Sequence, residues 1–469
     1  MLLPSFCLNF MRIIDKIKSL IAAEVFYQTL SFLPRISNRG LVSLTYIAKG
    51  ILFRDDPVTN KVLNELRGYF RENHPCVDLA RRLLRNLNPK CKKRMVKSLL
   101  VNAMFKGIPQ TKEYADKEGI LPPWFLLLSP TMRCNLNCLG CSTRRYTKDD
   151  DLPISVIDRI LDEAREMGIH FIVTQGGEMF VYEEMLGLYR KHKDIYFQVY
   201  TNGTLIDKKM ARTIARLGNV APMISLEGFR QTTDQRRGRG VFDKVMQAMD
   251  NLKEKGCFFG ASITQTRNNT DEIVSDEFFE LLLKKGCYVI WFFQFLPVGK
   301  DPDLRFMPSP KQRNLLREKV AKIRGRLPIF IGDFWNDGIF LGGCIAAGRR
   351  FLHINNKGDI EPCAFVHFAV DNIKNKGLRE ALNSEFFRLL RSQQPFGNGN
   401  LLAPCMLIDN PEVLRQAIIK TSARPTHEGA ELILDGQLKQ GLDEYSCQIH
   451  GITDSIWESM KDKAFKWPY

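Results

Sequence analysis

The 469-residue sequence predicts an α/β protein built on a partial (β/α)6 barrel of the TIM type, with a helical N-terminal domain and a C-terminal extension. Between Trp124 and Pro297, six apolar runs alternate with five amphipathic stretches, as in parallel strands joined by helices. Four of the helical runs are followed by a glycine, which takes the left-handed conformation that ends a helix. A parallel sheet covered by helices on one side closes into a barrel.

The six predicted strands are taken in chain order. They are WFLLLSP, HFIVTQ, IYFQVYT, APMISLEG, FFGASITQT and CYVIWFFQFLP. The helices between them are PISVIDRILDEAREMG, YEEMLGLYRKH, DKKMARTIARLG, VFDKVMQAMDNLKEKG and SDEFFELLLKKG. Chemistry in a barrel of this type belongs to the loops at the carboxyl ends of the strands. We therefore expect functional residues directly after each strand.

The flanking segments predict three further domains. The N-terminal segment has apolar residues three and four apart and no obvious strand, which indicates helices. A helical stretch after Pro308 leads into FLHINNKGDIEPC, which predicts a β-hairpin with its turn at 356–358. The tail is again helical and polar. The predicted domains are a basic helical domain at 1–115, the barrel at 120–307, a cysteine-bearing domain at 308–410 and a helical tail at 411–469.

The net charge of +16 is concentrated in the N-terminal quarter of the chain. Residues 1–112 hold 20 Lys and Arg against 7 Asp and Glu, giving +13, which leaves 48 against 45, or +3, for the remainder. Bases interleaved with Phe, Leu and Ile are typical of a solvated helical face or of a helix lying on an anionic membrane. Nucleic acid is less favoured, because no binding motif accompanies the charge.

The N-terminus does not have the pattern of a secretory signal, and no apolar run is long enough to span a bilayer. We therefore expect a cytoplasmic protein without a transmembrane segment, with the inner face of the membrane as a peripheral location if the basic domain binds lipid. The twelve cysteines are then expected to be reduced thiols or metal ligands.

Three cysteines, Cys134, Cys138 and Cys141, follow the first predicted strand within eight residues. Clustered thiolates in a reducing compartment bind zinc or an iron-sulfur cluster. Structural zinc normally takes four protein ligands, and no fourth Cys or His is nearby. Three thiolates on a four-iron cube leave one iron for a substrate or cofactor, so the spacing favours an iron-sulfur cluster.

The same cysteine spacing after a first β-strand resembles the signature of the radical S-adenosylmethionine (radical SAM) enzymes, roughly from Phe125 to Phe295. The resemblance implies a [4Fe-4S] cluster on the three cysteines and S-adenosyl-L-methionine bound to its open iron. It also implies reductive cleavage to a 5'-deoxyadenosyl radical, which abstracts hydrogen from a substrate, and a low-potential electron donor such as a ferredoxin or flavodoxin. One departure is Gly140, where the family often has an aromatic residue that contacts adenine.

Later strand ends resemble the cofactor-binding elements of the same family. Gly176, Gly177 and Glu178 are similar to its Gly-Gly-Glu element, in which the glycines allow close approach and the glutamate accepts a hydrogen bond from the methionine ammonium. The family places ribose and carboxylate contacts at the following strand ends. Here those ends carry Asn202 in TNGT, and Ser225 and Glu227 in SLEG. Asn202 is also compatible with a plain turn, and Glu227 with a solvated carboxylate.

A second cysteine set lies beyond the barrel. The stretch from Cys344 to Cys363 resembles the hairpin of the SPASM or twitch extension, which holds auxiliary iron-sulfur clusters, and Cys405 is a further expected ligand. A full SPASM domain has seven cysteines for two clusters, whereas this region adds only the distant Cys447. We therefore expect one auxiliary cluster in a twitch-like arrangement, with its fourth ligand open.

Two aspartates, Asp333 and Asp337, directly precede the auxiliary region. Either could be the general base that takes a proton when a substrate radical loses an electron. The expected substrate is a peptide, a lipid or another membrane-proximal molecule. A competing function is an iron-sulfur electron carrier or redox sensor that does not use S-adenosylmethionine. The Gly-Gly-Glu element and the six-unit barrel argue against it, since a carrier needs neither.

Overall fold

A computed structural model describes residues 32–52, 57–141, 147–299 and 302–463 of the chain. The predicted N-terminal domain and the predicted tail both extend beyond these ranges. Residues 1–31 and 53–56 of the segment predicted to bind a membrane, Cys7 among them, therefore lie outside the described residues.

Eight parallel strands form the barrel wall, in the order β8-β1-β2-β3-β4-β5-β6-β7. They are β1 (Phe125–Thr131), β2 (Phe171–Gly176), β3 (Tyr196–Thr201), β4 (Val220–Leu226), β5 (Gly260–Gln265), β6 (Val289–Gln294), β7 (Phe330–Asp333) and β8 (Phe351–Ile354). The helices between β1 and β6 are Ile154–Glu166, Met185–Lys191, Lys208–Leu217, Arg230–Arg237, Val241–Glu254, Thr270–Ile273 and Asp276–Lys285. The sheet ends at β7, so the predicted partial barrel is confirmed.

The strand β7 is a difference from the sequence prediction, which placed this segment in a helical stretch. The helix covers only Pro310–Arg324, and β7 then pairs in parallel with β6. A strand of four residues is too short to show an alternating or continuous apolar pattern of its own.

The predicted hairpin forms from β8 and β9 (Asp359–Glu361), which pair antiparallel. Its first strand, β8, also pairs in parallel with β1, with Phe351 opposite Phe125. The C-terminal extension therefore continues the barrel sheet. Short strands and helices complete it: β10 (Phe368–Ala369), β11 (Asp371–Asn372), β12 (Arg424–Pro425), Gly338–Leu341, Leu378–Leu382, Glu385–Ser392, Pro411–Thr421 and Gly436–Met460.

Aromatic side chains bring the two ends of the barrel wall together. The Phe125 and Phe351 rings stack with their centroids 5.2 Å apart, and the Phe334 ring, just after β7, lies 6.2 Å from that of Phe351. Phe334 is also 5.4 Å from the ring of Phe293 at the end of β6. Ring packing thus spans the opening between β7 and β8, where the sheet has no hydrogen bonds.

The N-terminal helices cover the amino ends of the strands, opposite the functional mouth of the barrel. They are Asn38–Leu52, Pro57–Arg71, Pro75–Asn86, Pro89–Arg94, a π-helical stretch at Met95–Lys106, and Gly107–Glu118. Buried residues such as Cys91 and Val96 pack there against Tyr196 and Val289, at the starts of β3 and β6. Within the described parts of the chain, no helix is both long enough and apolar enough to cross a bilayer.

Some bases of the N-terminal helices serve the packing of these helices. The Arg82 guanidinium donates hydrogen bonds to the carbonyl oxygens of Pro328 and Cys287. Arg67 is buried and donates to the hydroxyl of Thr45, and Arg81 donates to the carbonyl of Ile36. Part of the positive charge therefore fixes this domain in place, which leaves fewer bases for an anionic partner.

Candidate active site

The Gly-Gly-Glu element holds the backbone that leads into the first cysteine. The Gly177 N–H donates to Thr131 O at 2.9 Å, and the Glu178 N–H donates to Arg133 O at 2.7 Å. A Cβ atom on Gly177 would stand 1.9 Å from Arg133 O, and one on Gly176 would stand 2.1 Å from Thr131 O. The backbone at Gly176 and Gly177 therefore lies against the backbone that leads to Cys134, and only glycine permits so close an approach.

Glu178 is fully buried, and its carboxylate joins the ends of β2 and β3. It accepts hydrogen bonds from the Thr201 hydroxyl and the Asn202 N–H, both at 2.7 Å, and from the Phe180 N–H at 3.1 Å. Burial raises the pKa of Glu178, and these hydrogen bonds oppose the rise. Any further partner of this carboxylate would share it with three donors from the protein.

Asn202 links the β3 turn to the cysteine loop. Its amide nitrogen donates to Asn135 Oδ1 at 2.8 Å and lies 3.8 Å from Cys134 Sγ, while its oxygen accepts from Thr204. Ser225 lies in β4, in register with Ser262 of β5, and is half-buried. Of the residues predicted at these strand ends, Asn202 thus lies beside the cysteines.

Glu227 is fully buried in an ion pair with two arginines that sequence reasoning missed. Arg236 donates to it at 2.6 Å, and the Nε atom of Arg237 donates at 2.8 Å. Both arginines belong to the helix Arg230–Arg237. The carbonyl oxygen of Arg236 also accepts a hydrogen bond from the Leu139 N–H at 2.8 Å. The cluster of arginines in the QRRGRG segment is the feature of the sequence that could have indicated them.

The two arginines act electrostatically on the cysteine loop. Burial raises the pKa values of the Cys134 and Cys138 thiols, and Arg237 and Arg236 oppose the rise at Cys138. Positive charge favours the thiolate form of a cysteine, whereas burial alone favours the neutral thiol. The arginines therefore make the loop better suited to an anionic group.

Gly140, the departure from the family pattern, is explained by an aromatic neighbour. It has a φ of +70°, and a Cβ atom there would lie 2.7 Å from the ring of Phe295. Phe295 follows β6 and is buried, with the Arg236 guanidinium 5.9 Å from its ring centroid. The loop thus has an aromatic ring at this point, supplied by a residue distant in sequence.

The cysteine loop fits an iron-sulfur cluster. Cys138 and Cys141 lie close enough to Cys134 to contribute to the raised pKa of its thiol. Yet among the described residues, no three His, Cys, Asp or Glu side chains are gathered as ligands of a single metal ion. Thiolates that bind different irons of one cluster stand farther apart than the ligands of one zinc ion. The arrangement is compatible with a cluster of this kind.

The second cysteine set lines one cavity beside the opening between β7 and β8. Cys344, Cys363 and Cys405 meet there around a small cavity of about 40 Å³. The other described lining residues are Leu296, Phe334, Trp335, Gly338, Leu341, Gly343, Ile345, Ala346, Phe351, Phe365, Val366, Pro404, Met406 and Leu407. These residues include no further Cys, His or carboxylate. Cys447 is exposed on the helix Gly436–Met460, outside this lining.

The partial burial of the second cysteine set also fits a metal centre. Burial raises the pKa values of all three thiols, that of Cys405 to about 12. The Leu407 N–H points to Cys405 Sγ at 3.4 Å, and this kind of hydrogen bond tunes iron-sulfur clusters. Binding of iron would displace the protons from these thiols.

The two predicted bases have different surroundings. Asp333, at the carboxyl end of β7, is buried and accepts a hydrogen bond from Asn336 Nδ2 at 2.7 Å. Burial, with the neighbouring Asp337 as a smaller cause, raises its pKa to about 7. Asp337 instead accepts from Arg324 at 2.6 Å and from the Asp333 N–H at 2.9 Å. Asp337 therefore stabilises the turn, and Asp333 is the stronger candidate for proton transfer.

Comparisons with known proteins agree with this site. Residues 128–279 match the model of the radical SAM superfamily, and residues 344–406 match that of the SPASM iron-sulfur cluster-binding domain. The chain is 29% identical over 311 residues to the mycofactocin maturase MftC of Mycolicibacterium smegmatis, covering 62% of this chain and 78% of the maturase. It is 28% identical over 203 residues to the Fe-coproporphyrin III synthase of Methanosarcina barkeri, covering 41% of this chain but only 50% of that synthase.

Among solved structures, Streptococcus suis SuiB bound to S-adenosylmethionine has a similar fold. The TM-score is 0.52 at 18% sequence identity, covering 73% of this chain and 84% of SuiB. The barrel and its first cysteine loop thus define a radical SAM fold.

The chain carries a radical SAM domain at residues 128–279 and a SPASM iron-sulfur cluster-binding domain at residues 344–406. It is accordingly an enzyme, and its two domains imply a [4Fe-4S] cluster, S-adenosyl-L-methionine and auxiliary iron-sulfur as cofactors.

Proposed function

We propose that this enzyme oxidises a peptide at the barrel mouth, with Cys134, Cys138 and Cys141 holding the S-adenosylmethionine-binding cluster and Cys344, Cys363 and Cys405 the auxiliary one. The observation that carries the proposal is the position of Asp333. Its buried carboxyl, whose pKa is about 7, directly precedes Phe334 and Trp335, which line the second cysteine cavity.

When bound, the cofactors supply hydrogen-atom abstraction at the mouth and an electron acceptor in the cavity. The substrate carbon loses a hydrogen atom while it bears an X–H group, in which X is nitrogen, oxygen or sulfur. The resulting radical becomes a C=X double bond when it loses one further electron and the proton on X. Asp333 accepts this proton, since a carboxyl with a pKa of about 7 is present in both protonation states near neutral pH. Phe334 and Trp335 exclude water from the same place.

Two arguments favour a peptide over a lipid. The basic N-terminal helices cover the amino ends of the strands, so a membrane bound there would face away from the mouth. Several similar proteins have names or titles that specify peptides, among them the PqqA peptide cyclase of Granulibacter bethesdensis and SuiB bound to its precursor peptide SuiA. A porphyrin, as in the name of the Methanosarcina relative, is the alternative that the experiment below includes.

The test is anaerobic reconstitution followed by separate incubations with deuterated peptide extract, Fe-coproporphyrin III and deuterated lipid extract. We expect 5'-deoxyadenosine to acquire deuterium from the peptide extract. The Asp333→Asn variant should retain this transfer while forming oxidised product roughly 10²-fold or more slowly. Asp337→Asn is the matched control and should retain product formation. Turnover of the porphyrin or lipid with no turnover of peptides would contradict the proposal.

We propose a ferredoxin or flavodoxin as the electron donor and an anionic membrane surface as a partner of residues 1–112. Removal of two exposed bases, by Arg39→Ala with Lys90→Ala, should weaken sedimentation with phosphatidylserine vesicles by roughly 1 kcal/mol per base at low salt. Lys208→Ala with Lys311→Ala removes the same charge elsewhere and should have no effect. Equal binding by both double variants would contradict membrane contact through this region.

A further inference from the structure

Arg313 is a fully buried arginine that lies between the candidate base and the loop of Cys405. It belongs to the helix Pro310–Arg324 and has no exposed surface. Its guanidinium donates to acceptors on three other segments of the C-terminal region, around 335–336, at Leu402 and at Asp409. A planar donor group of this kind fixes the relative positions of the segments that it joins.

One side of the Arg313 guanidinium fixes the Cys405 loop. It makes two hydrogen bonds to the Asp409 carboxylate, at 2.5 and 3.1 Å. The same carboxylate accepts the Cys405 N–H at 2.9 Å, and the Asp409 N–H returns to Cys405 O at 3.1 Å. The backbone that carries the Cys405 thiol therefore depends on an aspartate that Arg313 orients.

The other side of the guanidinium fixes Asp333. The Arg313 Nε atom donates to Asn336 Oδ1 at 3.0 Å, and Asn336 Nδ2 donates to Asp333 at 2.7 Å. A further N–H donates to the carbonyl oxygen of Trp335 at 3.2 Å. Arg313 thus sets the orientation of the Asn336 amide, and the Asn336 amide in turn fixes the carboxyl of Asp333.

We propose that Arg313 is a positioning residue that couples Asp333 to the cluster ligand Cys405, so that the group accepting the proton and the centre accepting the electron keep a fixed relation. This inference rests on the proposed function for the roles of those two groups. It adds a residue that touches neither substrate nor cofactor and acts through Asn336 on one side and Asp409 on the other.

The expected effects on Asp333 follow from the charges that face it. Asp337 raises its pKa, while the hydrogen bond from Asn336 and the charges of Arg313 and Arg324 lower it. Removing either Arg313 or Asn336 should therefore keep the Asp333 carboxyl protonated to higher pH. Removing Asp409 leaves this side of the network in place.

The experiment compares Arg313→Gln with two variants that cut one side each, Asn336→Leu and Asp409→Asn. The first readout is the infrared band of the protonated Asp333 carboxyl against pH, assigned by its loss in Asp333→Asn. The second is the electron paramagnetic resonance spectrum of the dithionite-reduced auxiliary cluster, in full-length protein with Cys134, Cys138 and Cys141 replaced by Ala. Neither readout needs the substrate, and thermal unfolding records stability separately.

We expect Arg313→Gln to move both readouts, with an upward shift of roughly one pH unit in the infrared midpoint. Asn336→Leu should move only the infrared midpoint, and Asp409→Asn only the resonance spectrum. Arg313→Lys keeps the charge but cannot reach both Asn336 and Asp409, so both readouts should still move, the infrared midpoint by less than in Arg313→Gln. It replaces Arg313→Gln in the comparison if that variant does not fold.

The proposal is overturned if the Arg313 variant moves one readout or neither, or if each single-side variant moves both readouts equally, as general loosening would. Failure of the proposed function is distinguishable from this. It would appear as retained product formation in Asp333→Asn, whatever the Arg313 comparison gives.

Discussion

The two cysteine sites of this enzyme offer the same sulfur ligands in opposite surroundings. The loop of Cys134, Cys138 and Cys141 is bordered by the charged group of Glu227, Arg236 and Arg237. The cavity of Cys344, Cys363 and Cys405 is lined, in its described part, by apolar and aromatic residues. In both sites a backbone N–H two residues downstream points to a cysteine sulfur at 3.4 Å, from Leu136 to Cys134 and from Leu407 to Cys405.

This difference indicates a division of labour. A site with buried, compensated charge can accept a zwitterionic ligand such as the methionine part of S-adenosylmethionine, because the protein already supplies fixed charges. A dry site strengthens electrostatic interactions and protects reactive species from water. Since local charge is among the factors that set cluster potentials, the two sites are expected to differ in potential.

The largest expected effect comes from removing the thiols of one site at a time. Replacing Cys134, Cys138 and Cys141 together by Ala should abolish formation of 5'-deoxyadenosine in dithionite-reduced protein while iron remains at the auxiliary site. The matched variant, with Cys344, Cys363 and Cys405 replaced by Ala, should lose the auxiliary iron and still cleave S-adenosylmethionine. Iron counting and nucleoside analysis measure both, and complete loss of iron in the first variant would remove the distinction between the sites.

A smaller change tests how the charged site is built. Gly177→Ala would place a Cβ atom 1.9 Å from Arg133 O, so the backbone before Cys134 must move, and we expect most iron to be lost from this site alone. Gly187→Ala is the control, because nothing lies within 4 Å of its Cβ position on the exposed side of a helix. It should be neutral or stabilising by about 0.5–1 kcal/mol. Equal iron content in the two variants would show that the Gly-Gly-Glu contact does not hold the loop.

The parts of the two sites that could be predicted from sequence are short and contiguous. Cys134, Cys138 and Cys141 share one loop, and Gly176, Gly177 and Glu178 share one strand end, so spacing alone places each group after a predicted strand. Cofactor roles for the Gly-Gly-Glu residues, and for Asn202, Ser225 and Glu227, remain predictions. The contacts of Glu178 with Thr201 and Asn202 join different strands, and sequence spacing carries no information on them.

The remaining features depend on packing between distant segments. Phe295 meets Gly140 only because β6 ends beside the cysteine loop, and Arg313 reaches Asp409 from a helix 96 positions earlier. Asp333 and Asp337 were equivalent in the sequence, being four residues apart in the segment DFWND. Only the folded chain distinguishes them, because Arg324 pairs with Asp337, whereas burial raises the pKa of Asp333 to about 7.

The smallest expected effect measures how dry the auxiliary side is, through the pH dependence of stability. Burial raises the pKa of Asp333 from 3.8 to about 7, so the folded protein holds a proton that the unfolded chain releases between these values. Stability contributed by the protonated form is therefore present at low pH and lost as the pH rises to 7, by at most about 4 kcal/mol. Asp333→Asn lacks this loss. Its stability relative to the wild type, measured by anaerobic thermal unfolding, should therefore increase from pH 5 to pH 8. Asp337→Asn removes the partner of Arg324 and should destabilise at both pH values. A constant difference between Asp333→Asn and wild type would mean that water reaches Asp333, and the expected exclusion of water from this side of the molecule would then fail at the candidate base.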